Sequence, residues 1–402
     1  MLNSAGSGGN PVKKLNIAIV CDPIDYVAGV TVSATRLSER LIAKGHKIVF
    51  IAAKFPKSLS AGYRGKAKVY RFRSLLLPKT EKSFYIALPT FSEVKKALQE
   101  ENIDILHIFL PTPAAFVFMK AARATGVKIV THSHSQPENV FLHVPKILGR
   151  NIMSKIYGKY LSYIYERSDA LIYPSEFAET LFPELNSKIK HTVISNGVDM
   201  SVFKKVDAKK FRDKHDISPT APVILFVGRL HPEKSVDTLI RAFPKILKEQ
   251  PNARLLIVGD GHQAEELRQL SKNLNVGETV MFLGKISGED LVSAYNACDI
   301  FILPSLAELE GMVVLEAMAC GKPIVIADSP SSASRYFVDG NGFLFRPEDP
   351  EDLARQALKL LLSKHAREAM GKKSLENSKR YDINQSVSRL EELYYSLLSG
   401  QT

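Results

Sequence analysis

The sequence predicts an α/β protein built from two tandem, doubly wound, Rossmann-like domains. Short runs rich in Val, Ile and Leu alternate with segments whose apolar residues recur at helical spacing, and this alternation restarts after about residue 222. Strands that alternate with helices form parallel sheets covered by helices on both faces. The chain has 402 residues, 45% hydrophobic and 24% charged, which is enough for about two or three cores of ordinary size.

In the first half, a predicted strand at 15–20 is followed by a helix at 32–44. Further strands are expected at 47–52, 103–109, 128–131 and 170–173, with helices at 91–101 and 113–125. The second half opens with a continuous apolar run at 223–227, which is typical of a strand buried on both faces. Its other strands are expected at 254–258, 280–283, 300–303 and 323–327, and its helices at 235–249, 264–274, 288–297 and 314–319.

These elements predict the domain boundaries. We expect a disordered leader at 1–11, domains at 12–200 and 201–380, and a C-terminal helix at 381–402 that crosses back onto the first domain. Open parallel sheets bind ligands at the carboxyl ends of their strands, so the two sheets should face each other across a cleft that holds the chemistry.

Composition excludes several classes of protein. Cys21, Cys298 and Cys320 form no CxxC pair and no disulfide framework, which favours the cell interior and buried apolar roles for all three. No window reaches the roughly 18 uninterrupted apolar residues of a membrane span. Because no G-x-G-x-x-G follows the first strand and no P-loop motif occurs, hydride transfer and ATP hydrolysis lose most of their support.

The net charge of +12 is confined to the first half of the chain. Residues 1–200 carry 27 Lys and Arg against 15 Asp and Glu, whereas the later residues balance. A basic half indicates an anionic partner, namely a membrane surface, a nucleic acid or an acidic substrate, or else a solvated face without a partner. RNP, zinc-finger and helix-turn-helix signatures are lacking, so we expect no nucleic-acid partner.

Two segments concentrate this charge. Residues 141–161 interleave basic and large apolar side chains at roughly helical spacing, as in helices that lie in a membrane interface. A second basic stretch contains Arg64, Lys66, Lys68, Arg71, Arg73, Lys79 and Lys82. The alternative for 141–161 is an ordinary helix with its basic face in water.

The loop after the predicted strand 223–227 carries two cations. Arg229 and Lys234 follow this strand at the carboxyl edge of the second sheet. A guanidinium and an ammonium group can hold phosphate oxygens and neutralise a departing anion. The loop therefore suits a diphosphate, although either residue alone is also typical of plain surface charge.

Two glutamates lie in the segment 304–321. Glu308 lies in its loop and Glu316 about one turn into its helix, while Gly311 between them allows backbone N–H groups to approach a ligand. Carboxylates near a helix N-terminus are also ordinary charge placement.

Together these motifs resemble the retaining glycosyltransferases of family four, which have the GT-B fold and include bacterial diacylglycerol glucosyltransferases and phosphatidylinositol mannosyltransferases. The resemblance spans nearly the whole chain. It implies that Glu308 binds hydroxyls of the transferred sugar, that Glu316 binds the ribose, and that Arg229 and Lys234 bind the diphosphate. The implied donor site also contains Gly29, Gly259, Asp260, Gly261, Leu283, Ile286, Gly311, Met312, Val313 and Val314, and residues 196–199 match the turn between the domains.

By the same resemblance, His134, three residues before Pro137, matches the active-site histidine of the family. His132 and His134 are also spaced as a metal pair, because alternate residues of an extended segment face one side, but no third ligand is evident and no metal is required. One position departs from the family pattern. Where Phe often precedes the glycine, this chain has Glu310, an extra carboxylate expected to contact a sugar hydroxyl or to face solvent.

The resemblance implies hexose transfer from a nucleotide-sugar, which we expect to be UDP-glucose, to a membrane lipid such as diacylglycerol. The enzyme would be cytoplasmic and peripheral on the inner face of the membrane. A soluble transferase for a small molecule or glycan, and GDP-mannose as donor, are the alternatives. No carboxylate nucleophile is evident beneath the sugar, so front-face substitution is expected, with Arg229 and Lys234 stabilising the diphosphate and His134 orienting the sugar or acceptor.

Overall fold

The computed structural model describes residues 13–25, 28–56, 65–76, 85–136 and 149–400, which form two compact units. The first unit contains the residues up to His132, together with Arg167–Ala170 and the residues from Leu393 onward. The second contains Ser133–Glu166 and Leu171–Glu392. The predicted boundaries at 200 and 380 do not coincide with this division, and they remain predictions. The predicted leader at 1–11 lies outside the described residues.

The first unit contains a parallel sheet with helices between its strands. Its elements are β1 (Asn16–Val20), α1 (Gly29–Ala43), β2 (Lys47–Ala53), β3 (Lys68–Phe72), β4 (Ser74–Leu76), β5 (Tyr85–Ala87), α2 (Phe91–Glu100), β6 (Ile105–Ile108), α3 (Ala115–Ala124) and β7 (Lys128–His132). The strand order within this unit is β3-β2-β1-β6-β7, all parallel, and β4 pairs antiparallel with β5. α1 packs its apolar stripe inward, where Leu37 and Leu41 are buried.

The sequence pattern does not predict β3, which lies at the edge of the sheet. Only Phe72 of its five residues is buried, so the strand lacks the continuous apolar run of a central strand. Its basic residues pair within the unit. Lys68 Nζ lies 2.6 Å from Glu101 Oε1, and Arg71 forms a two-pronged ion pair with the buried Asp25. Part of the predicted basic stretch is therefore neutralised internally, while Arg64, Lys79 and Lys82 lie outside the described residues.

The rest of the chain contains a second parallel sheet. Its elements are α4 (Arg150–Tyr165), β8 (Ala170–Tyr173), α5 (Glu176–Thr180), β9 (His191–Val193), α6 (Lys209–Lys214), β10 (Val223–Val227), α7 (Val236–Glu249), β11 (Arg254–Val258), α8 (Ala264–Asn273), β12 (Val280–Gly284), α9 (Gly288–Ala297), β13 (Ile300–Leu303), β14 (Ala307–Glu308), α10 (Met312–Ala319), β15 (Ile324–Ala327), β16 (Ser331–Ser332), β17 (Gly342–Phe345), α11 (Pro350–Leu361), α12 (Lys364–Ser378) and α13 (Ile383–Leu398). The second sheet has the order β12-β11-β10-β13-β15-β17, and β14 pairs with β16. β8 and β9 lie outside this sheet and pair in parallel with each other.

The centre of this sheet is buried. All five residues of β10 are buried, and α7 covers the sheet with buried Leu239 and Phe243. Such a strand needs apolar contacts on both faces, and all five residues of β10 lie within the buried apolar cluster of this unit. The predicted α/β architecture with parallel, doubly wound sheets is thus confirmed.

The C-terminal residues of α13 belong to the first unit. The Tyr394 hydroxyl lies 2.6 Å from His107 Nδ1, and the Tyr395 hydroxyl donates to the Lys13 carbonyl at 2.7 Å. Throughout the described part of the chain, no helix has the length and apolar character needed to cross a bilayer.

Candidate active site

The topological switch point of the second sheet lies between β10 and β13. From β10 the chain first adds β11 and β12 on one side, and then β13, β15 and β17 on the other. Doubly wound sheets bind ligands in the crevice at the carboxyl ends of such strands. The loops that leave β10 and β13 carry Arg229, Lys234 and Glu308, so this crevice is the candidate active site.

Lys234 and Glu308 form an ion pair in the crevice. Lys234 Nζ lies 2.5 Å from Glu308 Oε1, and 13% of each side chain is exposed. Lys234 ends the 3-10 turn Pro232–Lys234, and Glu308 lies on β14. The Leu306 N–H donates to the Glu233 carbonyl at 2.8 Å and ties the two loops together. The structure therefore brings together two of the predicted catalytic residues.

Arg229 lies on the same loop and is half-exposed. Its Nη2 lies 3.1 Å from Glu233 Oε1, and His231 Nδ1 lies 3.9 Å from the same oxygen. The rings of His231 and His262 meet edge to face, with centroids 4.5 Å apart. Glu233, His231 and His262 were not among the site residues predicted from the sequence. Their position directly beside the predicted motifs was the signal that could have identified them.

Gly259 brings the loops after β10, β11 and β12 into backbone contact. Its φ is 137°, and a Cβ atom here would overlap the Gly228 carbonyl oxygen, so only glycine fits. Its N–H donates to the Gly284 carbonyl at 2.8 Å. The neighbouring Gly261 N–H donates to the Asp260 carboxylate at 2.9 Å. The predicted Gly-Asp-Gly loop thus lies at the same edge of the sheet as Lys234.

Leu283 and Ile286, two residues of the implied donor site, are half-buried and pack against the core of the unit. On α8, the Arg268 guanidinium lies 5.1 Å from the centroid of the Phe282 ring.

Helix α10 starts at the glycine of the predicted motif. Gly311 has a φ of 98°, and a Cβ atom here would overlap the Ser334 hydroxyl. Of the predicted contacts in the first turn, Met312 and Val313 are half-buried and Val314 is buried. Glu316 is buried one turn further on, where it accepts a 2.7 Å hydrogen bond from the Tyr295 hydroxyl.

Glu310 does not face solvent, which was one of the two expectations made for it. Its side chain is buried, with 4% exposed, and accepts hydrogen bonds from the Ser195 hydroxyl and from both nitrogens of Asn196. The Asn196 Nδ2 contact is 2.6 Å long. Burial raises the pKa of Glu310 to about 7. The carboxylate therefore faces the turn at 195–196 and not solvent.

His134 lies on the extended segment after β7. It is partly buried, and desolvation lowers the pKa of its imidazole to about 3, so the ring is neutral at neutral pH. Within the same unit, Gln136 Nε2 donates to the Ser331 carbonyl at 3.3 Å. Ser331 belongs to β16, whose next residue, Ser332, pairs with Glu308 on β14. The His134 segment and the Glu308 loop are thus connected through β16.

His132 has different surroundings from His134. It is buried in the first unit, where its ring stacks on His107 with centroids 5.6 Å apart and also contacts Phe109. Because β7 ends at His132, the alternation that would place both imidazoles on one side does not extend to His134. Among the residues that the structure describes, no cluster of three or more His, Cys, Asp or Glu side chains suits a metal ion.

Gly29, the remaining predicted donor contact, is the first residue of α1. Nearby in the chain, Asp22 follows β1 and is fully buried, and it accepts a 2.7 Å hydrogen bond from the Thr112 hydroxyl. Burial raises the pKa of Asp22 to about 6. The loop between them includes residues 26 and 27, which lie outside the described part of the chain.

Two families match the chain in succession. The family described as Glycosyltransferase Family 4 matches residues 27–202, and that described as Glycosyl transferases group 1 matches residues 207–376. Between them they span most of the sequence, including every motif of the crevice.

Individual relatives and a solved structure extend this similarity. N-acetyl-alpha-D-glucosaminyl L-malate synthase of Bacillus anthracis is 28% identical over 396 residues, which cover 96% of this chain and 98% of that protein. Alpha-monoglucosyldiacylglycerol synthase of Acholeplasma laidlawii is 24% identical over 386 residues, which cover 93% and 95%. The crystal structure of Anabaena HepE in complex with UDP-glucose superposes with a TM-score of 0.77 at 21% identity, covering 95% of this chain and all of that one, so the two share a fold.

Proposed function

Because the chain belongs to glycosyltransferase family 4, we propose that it transfers glucose from UDP-glucose to a membrane lipid of the diacylglycerol type, with retention of anomeric configuration. It is a GT-B glycosyltransferase, and the donor, the acceptor and the stereochemistry are the proposed parts. The enzyme would act as a peripheral protein on the inner face of the membrane.

The ion pair of Lys234 and Glu308 at the switch point carries the proposal. In a nucleotide-sugar the anomeric carbon is bonded directly to the diphosphate, so one crevice has to hold both the sugar and the phosphates. Glu308 supplies acceptor oxygens for sugar hydroxyls, and Lys234, 2.5 Å away, supplies positive charge for phosphate oxygens. The half-exposed Arg229 on the same loop adds a second cation.

These residues suit a front-face substitution. The bond between the anomeric carbon and the phosphate oxygen breaks, and Lys234 and Arg229 stabilise the charge that develops on the diphosphate. The acceptor oxygen bonds to the same face of the carbon, and its proton passes to the leaving phosphate oxygen. Glu310, held by Ser195 and Asn196, is poorly placed to act as a nucleophile. His134, neutral because of its lowered pKa, orients the sugar or acceptor.

The choice of UDP-glucose rests on similarity. The Anabaena structure with the same fold was solved with UDP-glucose, and the Acholeplasma relative is named a glucosyldiacylglycerol synthase. GDP-mannose is the alternative donor, and a larger base would need more room beside Leu283 and Ile286.

Helix α4 supports a lipid acceptor at a membrane surface. Ile152 and Ile156 are 65% and 63% exposed, and Tyr163 is 45% exposed. Lys155 and Lys159 are exposed on the same face, because residues three and four apart are neighbours on a helix. Exposed apolar side chains beside lysines suit the interface of an anionic bilayer. Residues 141–148 of the predicted membrane segment lie outside the described residues.

A small-molecule acceptor is the second candidate. The Bacillus relative, which matches this chain at higher identity and over nearly its full length, is named a glucosaminyl malate synthase. Under this proposal the face of α4 would have no membrane to contact, so acceptor assays separate the two candidates.

One experiment tests donor and acceptor in turn. UDP-glucose, UDP-N-acetylglucosamine and GDP-mannose are first compared for slow hydrolysis without an acceptor, and the preferred donor is then offered vesicles containing diacylglycerol or, separately, L-malate. We expect UDP-glucose and diacylglycerol to give an α-glucoside, identified by the NMR coupling of its anomeric proton. A product only with malate, or an inverted product, would contradict the proposed acceptor or stereochemistry.

A further inference from the structure

Glu310 is a buried carboxylate without a cation among its hydrogen-bond partners in the described structure. It accepts hydrogen bonds from the Ser195 hydroxyl, from Asn196 Nδ2 at 2.6 Å, and from the Asn196 backbone N–H, which lies 3.2 Å from each oxygen. All of these donors lie more than 110 residues earlier in the chain and in the same compact unit. The side chain therefore connects the turn at 195–196 to the loop of the donor site.

The backbone on both sides of Glu310 is fixed as well. The Ser175 hydroxyl donates to the Leu309 carbonyl, and the Ser334 hydroxyl donates to the Glu310 carbonyl at 3.1 Å. The following Gly311 has a positive φ of 98° with no room for a Cβ atom. Because these contacts restrict the backbone of the loop, a displacement of the Glu310 carboxylate would also displace the neighbouring residues in the chain.

One of those neighbours is Glu308, two residues earlier on β14. Its side chain reaches Lys234, and its strand pairs with β16. A shift of the loop by a fraction of an ångström would change where Glu308 meets a sugar hydroxyl. Catalytic groups depend on placement of this accuracy, and displacement by about 1 Å can cost on the order of a hundredfold in rate.

We propose that Glu310 is a positioning residue of the transfer reaction, which holds the Glu308 loop in its working position through hydrogen bonds to Ser195 and Asn196. This inference rests on the proposed function, because it gives the loop its role in sugar transfer. Glu310 itself makes no contact with the donor in this proposal. Under this proposal, Glu310 has a positioning role at the place before Gly311 where Phe is common in the family.

The electrostatics indicate which substitution is tolerated. Burial raises the pKa of Glu310 to about 7, so the buried site accommodates a neutral carboxyl group. The pKa of Tyr381 is raised by burial and by the charge of Glu310, and the charges of Arg380, Glu176 and Asp339 also act on it. Glutamine keeps the shape and one acceptor oxygen, whereas alanine leaves the donors of Asn196 without this partner.

The test compares Glu310→Ala, Glu310→Gln and Ser195→Ala with the full-length wild type. We expect Glu310→Ala to lower kcat about tenfold or more while the dissociation constant for UDP changes less than about twofold. Glu310→Gln should restore most of kcat, and Ser195→Ala, which removes a single donor, should give a smaller loss of the same kind. Glu278→Gln, an exposed glutamate of the same unit, is the matched control.

Amide hydrogen exchange over residues 305–316 gives a readout that needs no substrate. We expect faster exchange in Glu310→Ala than in the wild type, and near-normal exchange in Glu310→Gln. Wild-type kcat in Glu310→Ala below its melting temperature, or unchanged exchange of the loop, would overturn the inference and leave a role in stability alone. Loss of UDP affinity in parallel with kcat would instead assign direct donor contact. If the wild type transfers no sugar at all, the proposed function fails, while the exchange result still decides whether Glu310 positions the loop.

Discussion

The Nζ atom of Lys234 lies 2.5 Å from Oε1 of Glu308, with only 13% of each side chain exposed. Two opposite charges this close and this far from solvent depend on each other, because a buried charge without its partner is strongly destabilising. In our proposal the donor diphosphate becomes the new partner of Lys234, which releases the Glu308 oxygens for sugar hydroxyls. In this proposal the two residues act on different parts of one ligand.

Lys234→Ala and Glu308→Gln should separate affinity from turnover. We expect Lys234→Ala to weaken UDP binding by about 1.5–3 kcal/mol, the usual cost of a lost charge-assisted contact. Glu308→Gln should leave UDP affinity near wild type and lower the transfer rate, since Glu308 faces the sugar. Calorimetry with UDP and a kinetic assay measure the two quantities, with the exposed Lys248→Ala as control. Equal effects of both variants on UDP affinity would contradict the division of roles.

Arg229→Ala and Glu316→Gln should each reduce the affinity for UDP. Arg229 is expected to bind the diphosphate, and Glu316, fixed by the Tyr295 hydroxyl at 2.7 Å, is expected to bind the ribose. Each loss should also be about 1.5–3 kcal/mol in titration calorimetry. Tyr295→Phe removes only the group that fixes Glu316 and should cost less. Unchanged affinity in Arg229→Ala and Glu316→Gln would remove both residues from the site.

His134→Gln should lower the transfer rate while UDP binding survives, because the residue is expected to meet the sugar or acceptor. Since the pKa of His134 is lowered to about 3, its ring stays neutral from about pH 5 to 8. The pH profiles of kcat for wild type and variant should therefore run parallel across this range. An inflection near pH 6.5 that the substitution removes would show instead that the imidazole titrates during turnover.

The stability of the protein should depend on pH through Glu310. Its pKa is raised from 4.5 to about 7 in the folded state, so the folded chain holds more protons than the unfolded chain between these values. Stability contributed by this group is present below about pH 4.5 and is lost as the pH rises through 7. Relative to wild type, Glu310→Gln should gain as much as about 3 kcal/mol in the free energy of unfolding between pH 4.5 and 8. Urea unfolding at both pH values measures this, and a difference that does not change with pH would contradict the raised pKa.

Charge reversal on α4 should release the protein from anionic vesicles. Lys155→Glu with Lys159→Glu removes the attraction beside Ile152 and Ile156, and binding in the wild type should fall as salt screens the surface over about 8 Å at physiological ionic strength. Co-sedimentation with and without anionic lipid measures it. The matched control is Lys364→Glu with Lys372→Glu, the same charge change on α12. Equal sedimentation of both double variants, or of neutral and anionic vesicles, would favour the small-molecule acceptor.

The sequence alone determined the central strands and the loops that follow them. The run at 223–227 predicted β10 with its observed bounds, and 254–258 and 300–303 predicted β11 and β13 equally well. A strand buried on both faces has to be apolar throughout, so its ends are marked by the first polar residues. The candidate site consists of polar residues that follow these strands, so Arg229, Lys234 and Glu308 were predicted together with the strands.

Only the tertiary structure decided what depends on distant partners. The edge strand β3 carries Lys68 and Arg71, which the sequence indicated as part of a basic stretch. In the structure, Lys68 forms an ion pair with Glu101, and Arg71 forms one with Asp25. His132 and His134 are two residues apart, yet β7 ends at His132, whose ring is buried and stacks on His107. From the sequence, Glu310 was an extra carboxylate expected near the sugar or in solvent. In the structure it accepts hydrogen bonds from Ser195 and Asn196, which lie more than 110 residues earlier in the chain. The spacing of apolar residues predicts which residues of a segment are buried and which are exposed. A hydrogen bond between residues distant in the sequence forms only when the chain folds, so this spacing does not predict it.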